Sequence, residues 1–289
     1  MKIYATIFYS ERSVTFLADS RPIGVFDSGL GGLTVLREIR RLLPNENIVY
    51  FGDTGRVPYG TKSNETIRNY ALQDEKFLLS KGVKYIVAAC GTVSAVAADT
   101  ADSLPVGFMG VVSGAVSDAV KLTKNKKIGV IGTPATINNG AHKRLIEKLM
   151  PEAVVVTVGC PLFVPLVEDG WYSADDPVVL GVCEKYLKPI IDNGCDVLIL
   201  GCTHYPILTD AIRKTVGEGV TLINMGVSTA AAVRDELTDK GMLCEEQGAP
   251  VRRLYVSDKT AAFRQVAEIL LGDSIDDGDV TLVDITKYE

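Results

Sequence analysis

The sequence predicts an α/β protein of two similar domains, each with a largely parallel sheet flanked by helices. Nine short apolar runs alternate with helical stretches, most of ten or more residues, which is typical of βαβ units. Two runs end alike, at Cys90-Gly91-Thr92 and at Cys202-Thr203-His204, and their cysteines stand 112 residues apart. A second similarity, between Ile23-Gly24-Val25 and Ile128-Gly129-Val130, has a spacing of 105 residues. The two spacings indicate duplicated halves related by pseudo-symmetry.

The predicted strands are short and bounded by turn residues. In chain order they are Ile23–Phe26, Ile48–Gly52, Tyr85–Ala89, Val106–Met109, Ile128–Ile131, Val154–Val158, Val197–Leu200, Val220–Ile223 and Arg253–Val256. The run Val197–Leu200 contains only Val, Leu and Ile, as expected for a strand buried on both faces. It stops at Gly201, and a Cys, a Thr and a His follow together. We therefore expect a site at the carboxyl end of this strand.

Two loops and two helices can be predicted from their turn and capping residues. The segment 52–61 is too rich in Gly and Pro for a regular element and too long for a simple turn, so we expect it to carry function. Ser63-Asn64-Glu65 is predicted to cap a long helix that runs through Lys81. The small residues of 132–136 predict a second loop, and Asn138-Asn139-Gly140 predicts the start of the next helix.

Composition excludes several classes of protein. The 289 residues are 47% hydrophobic and 23% charged with a formal net charge of −6, which argues against nucleic-acid binding as a principal role. Six cysteines without a C-x-x-C pair and only two histidines give neither a zinc spacing nor a disulfide framework, so we expect reduced thiols, no metal and a cytoplasmic location. No run reaches membrane-spanning length. The leader 1–21 is interrupted by Glu11 and Arg12 and is expected to be an extra strand or a loose extension, not a signal peptide.

The cysteines divide into two groups. A free cysteine often packs as a small hydrophobic residue, and we expect this of Cys160, Cys183, Cys195 and Cys244. Cys90 and Cys202 differ because each follows a strand and precedes small polar residues. His142 lies in an amphipathic helical pattern and is expected at the surface. His204 is a candidate partner of Cys202, because only Thr203 separates them.

A glycine-rich segment, Asp27 to Thr34, follows the first predicted strand. It opens a helix whose apolar side holds Leu33, Leu36, Ile39 and Leu43. Backbone amides in such a turn can hold an anion. Gly29 and Gly31 fit the first glycines of a dinucleotide-binding motif, and Asp53 stands near the place of a ribose-binding acid. Because Thr34 replaces the third glycine, an NAD-dependent oxidoreductase is only the more remote alternative.

Five motifs, in matching order, resemble those of the cofactor-independent glutamate racemases in the aspartate/glutamate racemase superfamily. They are Asp27-Ser28-Gly29-Leu30-Gly31-Gly32, Pro58-Tyr59-Gly60, Cys90-x-Thr92, Gly132-Thr133-x-Ala135-Thr136 and Gly201-Cys202-Thr203-His204-Tyr205-Pro206. The similarity extends from Ile23 to about Val233. It implies two α/β domains that face each other across an active-site cleft. The first domain would comprise residues 1–112 and 226–289, and the second residues 113–225.

The resemblance also implies roles for individual residues. Cys90 and Cys202 would be the two proton-transferring thiols. Asp27, Glu168 and His204 would tune or orient these thiols, although Glu168 by itself could equally mark a solvated helix end. The expected substrate contacts are Asp27, Ser28, Pro58, Tyr59, Gly60, Gly91, Thr92, Thr133, Thr136, Thr203 and His204.

The implied activity is the interconversion of L-glutamate and D-glutamate without a cofactor, which would supply D-glutamate for peptidoglycan synthesis and cell shape. The expected partner is this small-molecule substrate, with no nucleic acid and no membrane, and the expected assembly is a homodimer. Inversion at Cα requires proton removal on one face and delivery on the other. A free thiol has a pKa of about 8.5, so neighbouring groups can keep one thiolate and one thiol near neutrality. With each sulfur about 3 to 3.5 Å from the reacting carbon, the two sulfurs are expected roughly 6 to 8 Å apart.

Two positions depart from the family pattern. Gly91 stands where the family has Asn, and Asn224-Met225-Gly226 replaces an Asp-Ser-Ala-like stretch. Loss of the Asn amide removes a hydrogen-bond donor to the substrate, an effect of roughly 1 to 3 kcal/mol. A racemase of another amino acid and a low-activity binding protein for a small acid therefore remain alternatives.

Overall fold

The computed structural model of the protein describes residues 19–245, 249–259 and 263–288. The predicted leader lies outside these residues except for its last three positions. Parallel strands form a sheet of six and a sheet of four in the described part of the chain, with helices packed on them. The predicted class, α/β with two parallel sheets, is confirmed.

The strands follow each other through the chain in two groups. They are β1 (Ile23–Asp27), β2 (Ile48–Gly52), β3 (Tyr85–Ala88), β4 (Gly107–Gly110), β5 (Lys127–Gly132), β6 (Val154–Gly159), β7 (Val197–Leu200), β8 (Thr221–Asn224), β9 (Arg252–Val256) and β10 (Val280–Leu282). The first sheet has the order β10-β9-β2-β1-β3-β4 and the second the order β6-β5-β7-β8. The series β2-β1-β3-β4 thus has the same order as β6-β5-β7-β8, which confirms the pseudo-symmetry predicted from the two spacings.

Helices connect and cover these strands. They are α1 (Leu33–Leu42), α2 (Asn64–Ser80), α3 (Gly91–Val96), α4 (Val111–Leu122), α5 (Pro134–Asn139), α6 (Ala141–Leu149), α7 (Phe163–Glu168), α8 (Pro177–Asp192), α9 (Thr209–Val216), α10 (Met225–Asp239) and α11 (Phe263–Leu271). The α2 cap is confirmed, because the Ser63 side chain accepts a hydrogen bond from the Thr66 amide. None of the helices in residues 19–245, 249–259 and 263–288 is long and apolar enough to cross a membrane.

The site-bearing loops share one edge in each sheet. Since all the strands are parallel, the carboxyl ends of adjacent strands meet at the same edge. Phe26 of β1 pairs with Ala88 of β3, so Asp27 lies beside the segment that delivers Cys90. In the second sheet Ile131 pairs with Leu200, which brings Thr133 beside the segment that delivers Cys202. The duplicated topology thus presents two equivalent thiols.

The segment after β5 corrects one local expectation. Gly132 to Thr136 was expected to be a loop, but helix α5 begins at Pro134. Thr133 caps it by accepting a hydrogen bond from the Thr136 amide, and Pro134 fits the first helical position. Gly140, with φ of +70°, ends α5 and precedes α6. The cap at Thr133 and the proline at the first helical position therefore start a helix in a segment whose small residues predicted a loop.

The expectation that His142 lies at the surface is wrong. Its exposed fraction is 2%, since it shares the buried face of α6 with Ile146, one helical turn away. The ring lies below the backbone of Gly201, where an added Cβ would be 3.6 Å from its Cε1 atom. Within the described residues, neither ring nitrogen has a hydrogen-bond partner. Burial lowers the pKa of His142 to about 4.

This buried histidine predicts an acid-sensitive stability. Its pKa is about 4 in the folded protein and about 6.5 when unfolded, so the unfolded chain binds more protons between these values. Its contribution is therefore complete above pH 6.5 and is lost as the pH falls toward 4. We expect the free energy of unfolding to drop by about 3 kcal/mol more in the wild type than in His142→Phe between pH 7 and pH 4. Urea unfolding at both pH values measures this difference, and equal drops would contradict the assignment.

We propose the domain boundaries that the sequence suggested, after residues 112 and 225. The strands of the second sheet fall between Lys127 and Asn224, while β9 and β10 return to the first sheet beside β2. These placements support a first domain built from both ends of the chain. The crossings would then fall at the start of α4 and the start of α10.

Candidate active site

A cavity of about 570 Å³ lies where the carboxyl ends of the two sheets face each other. Its wall contains all the residues that the sequence predicted for the site. These are Asp27, Ser28, Pro58, Tyr59, Gly60, Cys90, Gly91, Thr92, Thr133, Thr136, Glu168, Cys202, Thr203 and His204. The structure therefore brings the predicted residues of both halves into one cavity, while their individual roles stay predictions.

Cys90 is the more buried of the two thiols. It caps α3 directly after β3 and has an exposed fraction of 5%. Its Sγ donates a hydrogen bond to Ser28 Oγ at 3.4 Å. Burial and, secondarily, the charge of Asp27 raise the pKa of Cys90 to about 11, although the Ser28 hydrogen bond opposes this shift. Cys90 therefore holds its proton at neutral pH.

Cys202 has a different environment because an imidazole lies beside it. Its Sγ is 3.9 Å from His204 Nδ1, and His204 Nε2 is 3.0 Å from Glu168 Oε1. Burial disfavours the charged imidazole, but the hydrogen bonds with Cys202 and Glu168 outweigh burial and raise the pKa of His204 to about 10. A protonated imidazole therefore faces the second sulfur.

Asp27 lies at the end of β1 beside the Cys90 segment, with an exposed fraction of 3%. Its Oδ1 accepts a hydrogen bond from the Gly29 amide at 2.9 Å. Burial raises the pKa of Asp27, while the charge of His204 and nearby backbone amides oppose this shift. A carboxylate so placed disfavours a second negative charge on Cys90.

The glycine-rich segment after β1 is pressed against the Cys202 loop. A Cβ atom at Gly31 would lie 2.2 Å from Thr203 Oγ1 and 2.8 Å from His204 Nδ1, so no side chain fits there. The Thr34 hydroxyl is 2.7 Å from the Thr203 carbonyl oxygen. This close approach, and not a nucleotide, accounts for the glycine at position 31.

The Tyr59 and Asp53 side chains are occupied by other groups. The Tyr59 hydroxyl contacts the carboxylates of Asp53 and Asp74, so it does not offer a free hydrogen bond to a substrate. Asp53 has an exposed fraction of 0% and also accepts from Arg56 and Ser257. It is therefore not placed to bind a ribose, which argues against the dinucleotide alternative.

Part of the apolar wall was not predicted. Pro161, Val164 and Pro165, around the start of α7, line the cavity. The repeat contained the signal, because this segment follows β6 as the 52–61 loop follows β2. The strand order of the two sheets is needed to show which residues of the segment after β6 are equivalent to those of the 52–61 loop.

The remaining cysteines behave as expected. Cys160, Cys183, Cys195 and Cys244 are buried, and all six cysteines are free thiols.

No group of three or more His, Cys, Asp and Glu side chains in residues 19–245, 249–259 and 263–288 is arranged to hold a metal ion. What the cavity does present is one protonated thiol and one sulfur paired with an imidazolium. This arrangement can remove a proton from a carbon atom and return one from a different group.

Comparison with known proteins agrees with this geometry. Residues 23–234 match the family of Asp/Glu/Hydantoin racemases. The glutamate racemase of Syntrophus aciditrophicus is 44% identical over 255 residues, which cover 88% of this chain and 94% of that protein. The crystal structure of glutamate racemase from Francisella tularensis, in complex with D-glutamate, superposes with a TM-score of 0.86 at 39% identity and covers 93% of this chain and 100% of that one.

A second solved structure supports the same relationship. Glutamate racemase from Thermus thermophilus, in complex with beta-chloro-D-alanine, has a TM-score of 0.83 at 42% identity, with 94% of this chain and 100% of that chain covered. The relationship to glutamate racemases that the five motifs indicated is thereby confirmed. The family match extends over most of the chain and includes both thiol-bearing strand ends. The chain belongs to the Asp/Glu/Hydantoin racemase family and is an amino-acid racemase.

Proposed function

We propose that this protein interconverts L-glutamate and D-glutamate by transferring protons through Cys90 and Cys202. The observation that carries the proposal is that two free thiols in unlike environments line one cavity. The names of the relatives, and the D-glutamate bound in the Francisella tularensis enzyme, support glutamate as the substrate.

In this mechanism one sulfur removes the α-proton while the other delivers a proton to the opposite face. Cys90 retains its proton because of burial and Asp27. The imidazolium of His204 favours negative charge on the Cys202 sulfur. Cys90 is therefore available as an acid before the substrate binds, and His204 is the group that would assist Cys202 as the base. Glu168 is then a positioning residue, because it holds His204 through Nε2.

By the family resemblance, Cys90 would deprotonate D-glutamate and Cys202 would deprotonate L-glutamate. Turnover of L-glutamate starts from the form with the thiol on Cys90, and turnover of D-glutamate starts from the exchanged form with the thiol on Cys202. Each reaction converts one form into the other, so the starting form must be restored before the next turnover in the same direction. The threonines of the cavity wall, Thr92, Thr133, Thr136 and Thr203, would bind the carboxylate and amino groups of the substrate. A cytoplasmic homodimer that supplies D-glutamate for peptidoglycan is the wider setting we propose.

Incubation with each glutamate enantiomer in heavy water, with nothing added, tests this function. We expect deuterium at the α-carbon of the product and convergence of both reactions on equal amounts of the two enantiomers. Exchange with another amino acid but not with glutamate would overturn the substrate and leave the two-thiol chemistry standing. No exchange with any acidic or neutral amino acid would favour the binding-protein alternative, and a reaction that needs a bound nucleotide would favour the oxidoreductase.

Gly91 offers a specific test of the substrate. A Cβ atom there would lie 3.3 Å from the Gly201 carbonyl oxygen and 4.0 Å from Thr136 Oγ1, so the Gly201 backbone would have to shift by a few tenths of an ångström. If the cavity handles glutamate, Gly91→Asn should raise kcat/KM for glutamate by up to about a hundredfold, the worth of one hydrogen bond to a charged group. Gly91→Ala, measured beside it by steady-state kinetics, adds the same Cβ without the amide.

The comparison of the two variants separates the amide from the added volume. Equal losses in Gly91→Ala and Gly91→Asn would show that contact with Gly201 dominates. A gain on glutamate in Gly91→Asn alone would support the proposed substrate. Loss of turnover on a different amino acid, without a gain on glutamate, would show that Gly91 marks a change of specificity.

A further inference from the structure

A buried polar cluster lies behind the loop that carries Pro58, Tyr59 and Gly60. We call it the Tyr59 cluster, and its members are Asp53, Arg56, Tyr59 and Asp74. Both carboxyl groups have an exposed fraction of 0%, and Tyr59 is 1% exposed. The Arg56 side chain, 17% exposed, covers the cluster and stacks on the Tyr70 ring at 3.9 Å from its centroid.

Within the Tyr59 cluster, the hydroxyl group of Tyr59 contacts two carboxyl groups but has only one proton to donate. The Tyr59 hydroxyl oxygen contacts Asp53 Oδ2 and, at 3.0 Å, Asp74 Oδ2. Arg56 donates through Nε to Asp53 Oδ2 at 2.5 Å and through Nη2 to Asp74 Oδ1 at 3.2 Å. A phenol carries one proton and can donate to only one carboxylate.

Ionisation of both carboxyl groups is inconsistent with these contacts. The phenol oxygen would then face one carboxylate oxygen without a proton between them. Two buried negative charges would also share the single guanidinium of Arg56, and an uncompensated buried charge is strongly destabilising. One proton on one carboxyl group resolves both problems and leaves the cluster electrically neutral.

The environments of the two carboxyl groups decide which of them holds the proton. Asp53 accepts from Arg56 Nε, from the Tyr59 hydroxyl and, at 2.7 Å, from Ser257 Oγ, a set of donors that stabilises a carboxylate. Among the residues that the structure describes, Asp74 has only the longer contact with Arg56 besides that with Tyr59. Burial and the charge of Asp53 raise the pKa of Asp74 well above its ordinary value, and Glu75 on the same helix acts in the same direction.

We propose that Asp74 is a neutral carboxylic acid that donates its Oδ2 proton to the Tyr59 oxygen, while the Tyr59 hydroxyl donates to an ionised Asp53. This pair of hydrogen bonds joins α2 to the end of β2. The Asp53 amide in turn donates to the Asp27 carbonyl oxygen at 3.0 Å. Asp74 is thereby a positioning residue, which acts on the cavity wall through Tyr59 and its neighbours Pro58 and Gly60.

Infrared difference spectroscopy tests the position of the proton without any assumption about the reaction. The spectrum of the wild type minus that of Asp74→Asn should contain the C=O stretch of a protonated carboxyl group. The buried Glu75, whose pKa is raised to about 7 by burial, is the nearby group that could give a similar band. Glu75→Gln is therefore the matched control and should keep the Asp74 band. A difference spectrum with only carboxylate bands would overturn the proposal.

Kinetics of two variants test the positioning role, which depends on the proposed function for its substrate. Asp74→Asn retains a donor toward Tyr59, whereas Asp74→Leu has a similar volume and no donor. We expect KM for glutamate to be at least about tenfold higher in Asp74→Leu than in Asp74→Asn, with similar kcat in both, provided that both variants are folded by circular dichroism. Equal KM values would overturn the positioning role. Absence of glutamate turnover in the wild type would instead contradict the proposed function and leave the infrared test valid.

Discussion

Cys90→Ser and Cys202→Ser should each lower kcat/KM for glutamate by about a hundredfold to ten-thousandfold, the usual contribution of one general acid or base. A serine hydroxyl is a far weaker acid than a thiol, so it cannot serve as the base or release a proton at the required rate. Both substitutions should lower the rate in both directions. The equilibrium constant between two enantiomers is one, and no variant can change it. Chiral analysis of the product from each pure enantiomer measures these losses.

A third serine variant controls for the chemistry of the substitution. Cys195 is a buried free thiol outside the cavity wall, so Cys195→Ser makes the same change away from the site. It should retain the activity of the wild type. Circular dichroism should show all three variants to be folded. Near-normal turnover by either cavity variant would rule out the two-thiol mechanism.

The local pattern was sufficient to place the strands and the thiols. Each of the nine predicted strands lies within two residues of a strand in the structure, because a short apolar run bounded by turn residues has few other interpretations. Cys90 and Cys202 were found for the same reason, since parallel strands of duplicated halves end at equivalent edges. The strand that was missed, β10, has three residues and follows an acidic turn. It is a strand because it pairs with β9, a contact that its own sequence does not specify.

The burial of His142 and the protonation of Asp74 were not predicted from the sequence. The amphipathic pattern around His142 did not show which side of the helix faces the sheet. The proton on Asp74 depends on Asp53 and Tyr59, which lie in a separate segment of the chain. In both cases the groups that surround the side chain are brought together only by the fold. Residue type alone would assign Asp74 to the surface and would leave His142 undecided.

Lys84 is another buried polar side chain, with an exposed fraction of 1%. It stands just before β3, the strand that leads to Cys90. Its ammonium group forms an ion pair with Glu46 Oε2 at 2.7 Å and donates to the carbonyl oxygens of Asp19 at 2.6 Å and Met242 at 2.7 Å. The ion pair and the two hydrogen bonds involve segments that precede β1, precede β2 and follow α10. Lys84 thus connects the two ends of the chain that form the proposed first domain.

Lys84→Met should lower the free energy of unfolding by about 3 to 5 kcal/mol, because it leaves the Glu46 carboxylate buried without its counter-charge. Glu46 Oε1 also accepts from the Cys244 amide at 2.8 Å, so the loss extends to the segment after α10. Lys188→Met is a suitable control, because it breaks an exposed pair in which Lys188 and Asp192 are 72% and 54% exposed. That change should cost about 0.5 kcal/mol or less.

Urea unfolding of both variants measures the two losses. The double variant Lys84→Met, Glu46→Met should recover most of the loss of Lys84→Met, because no unpaired charge remains. If Lys84→Met costs no more than Lys188→Met, the buried ion pair does not hold the ends of the chain together.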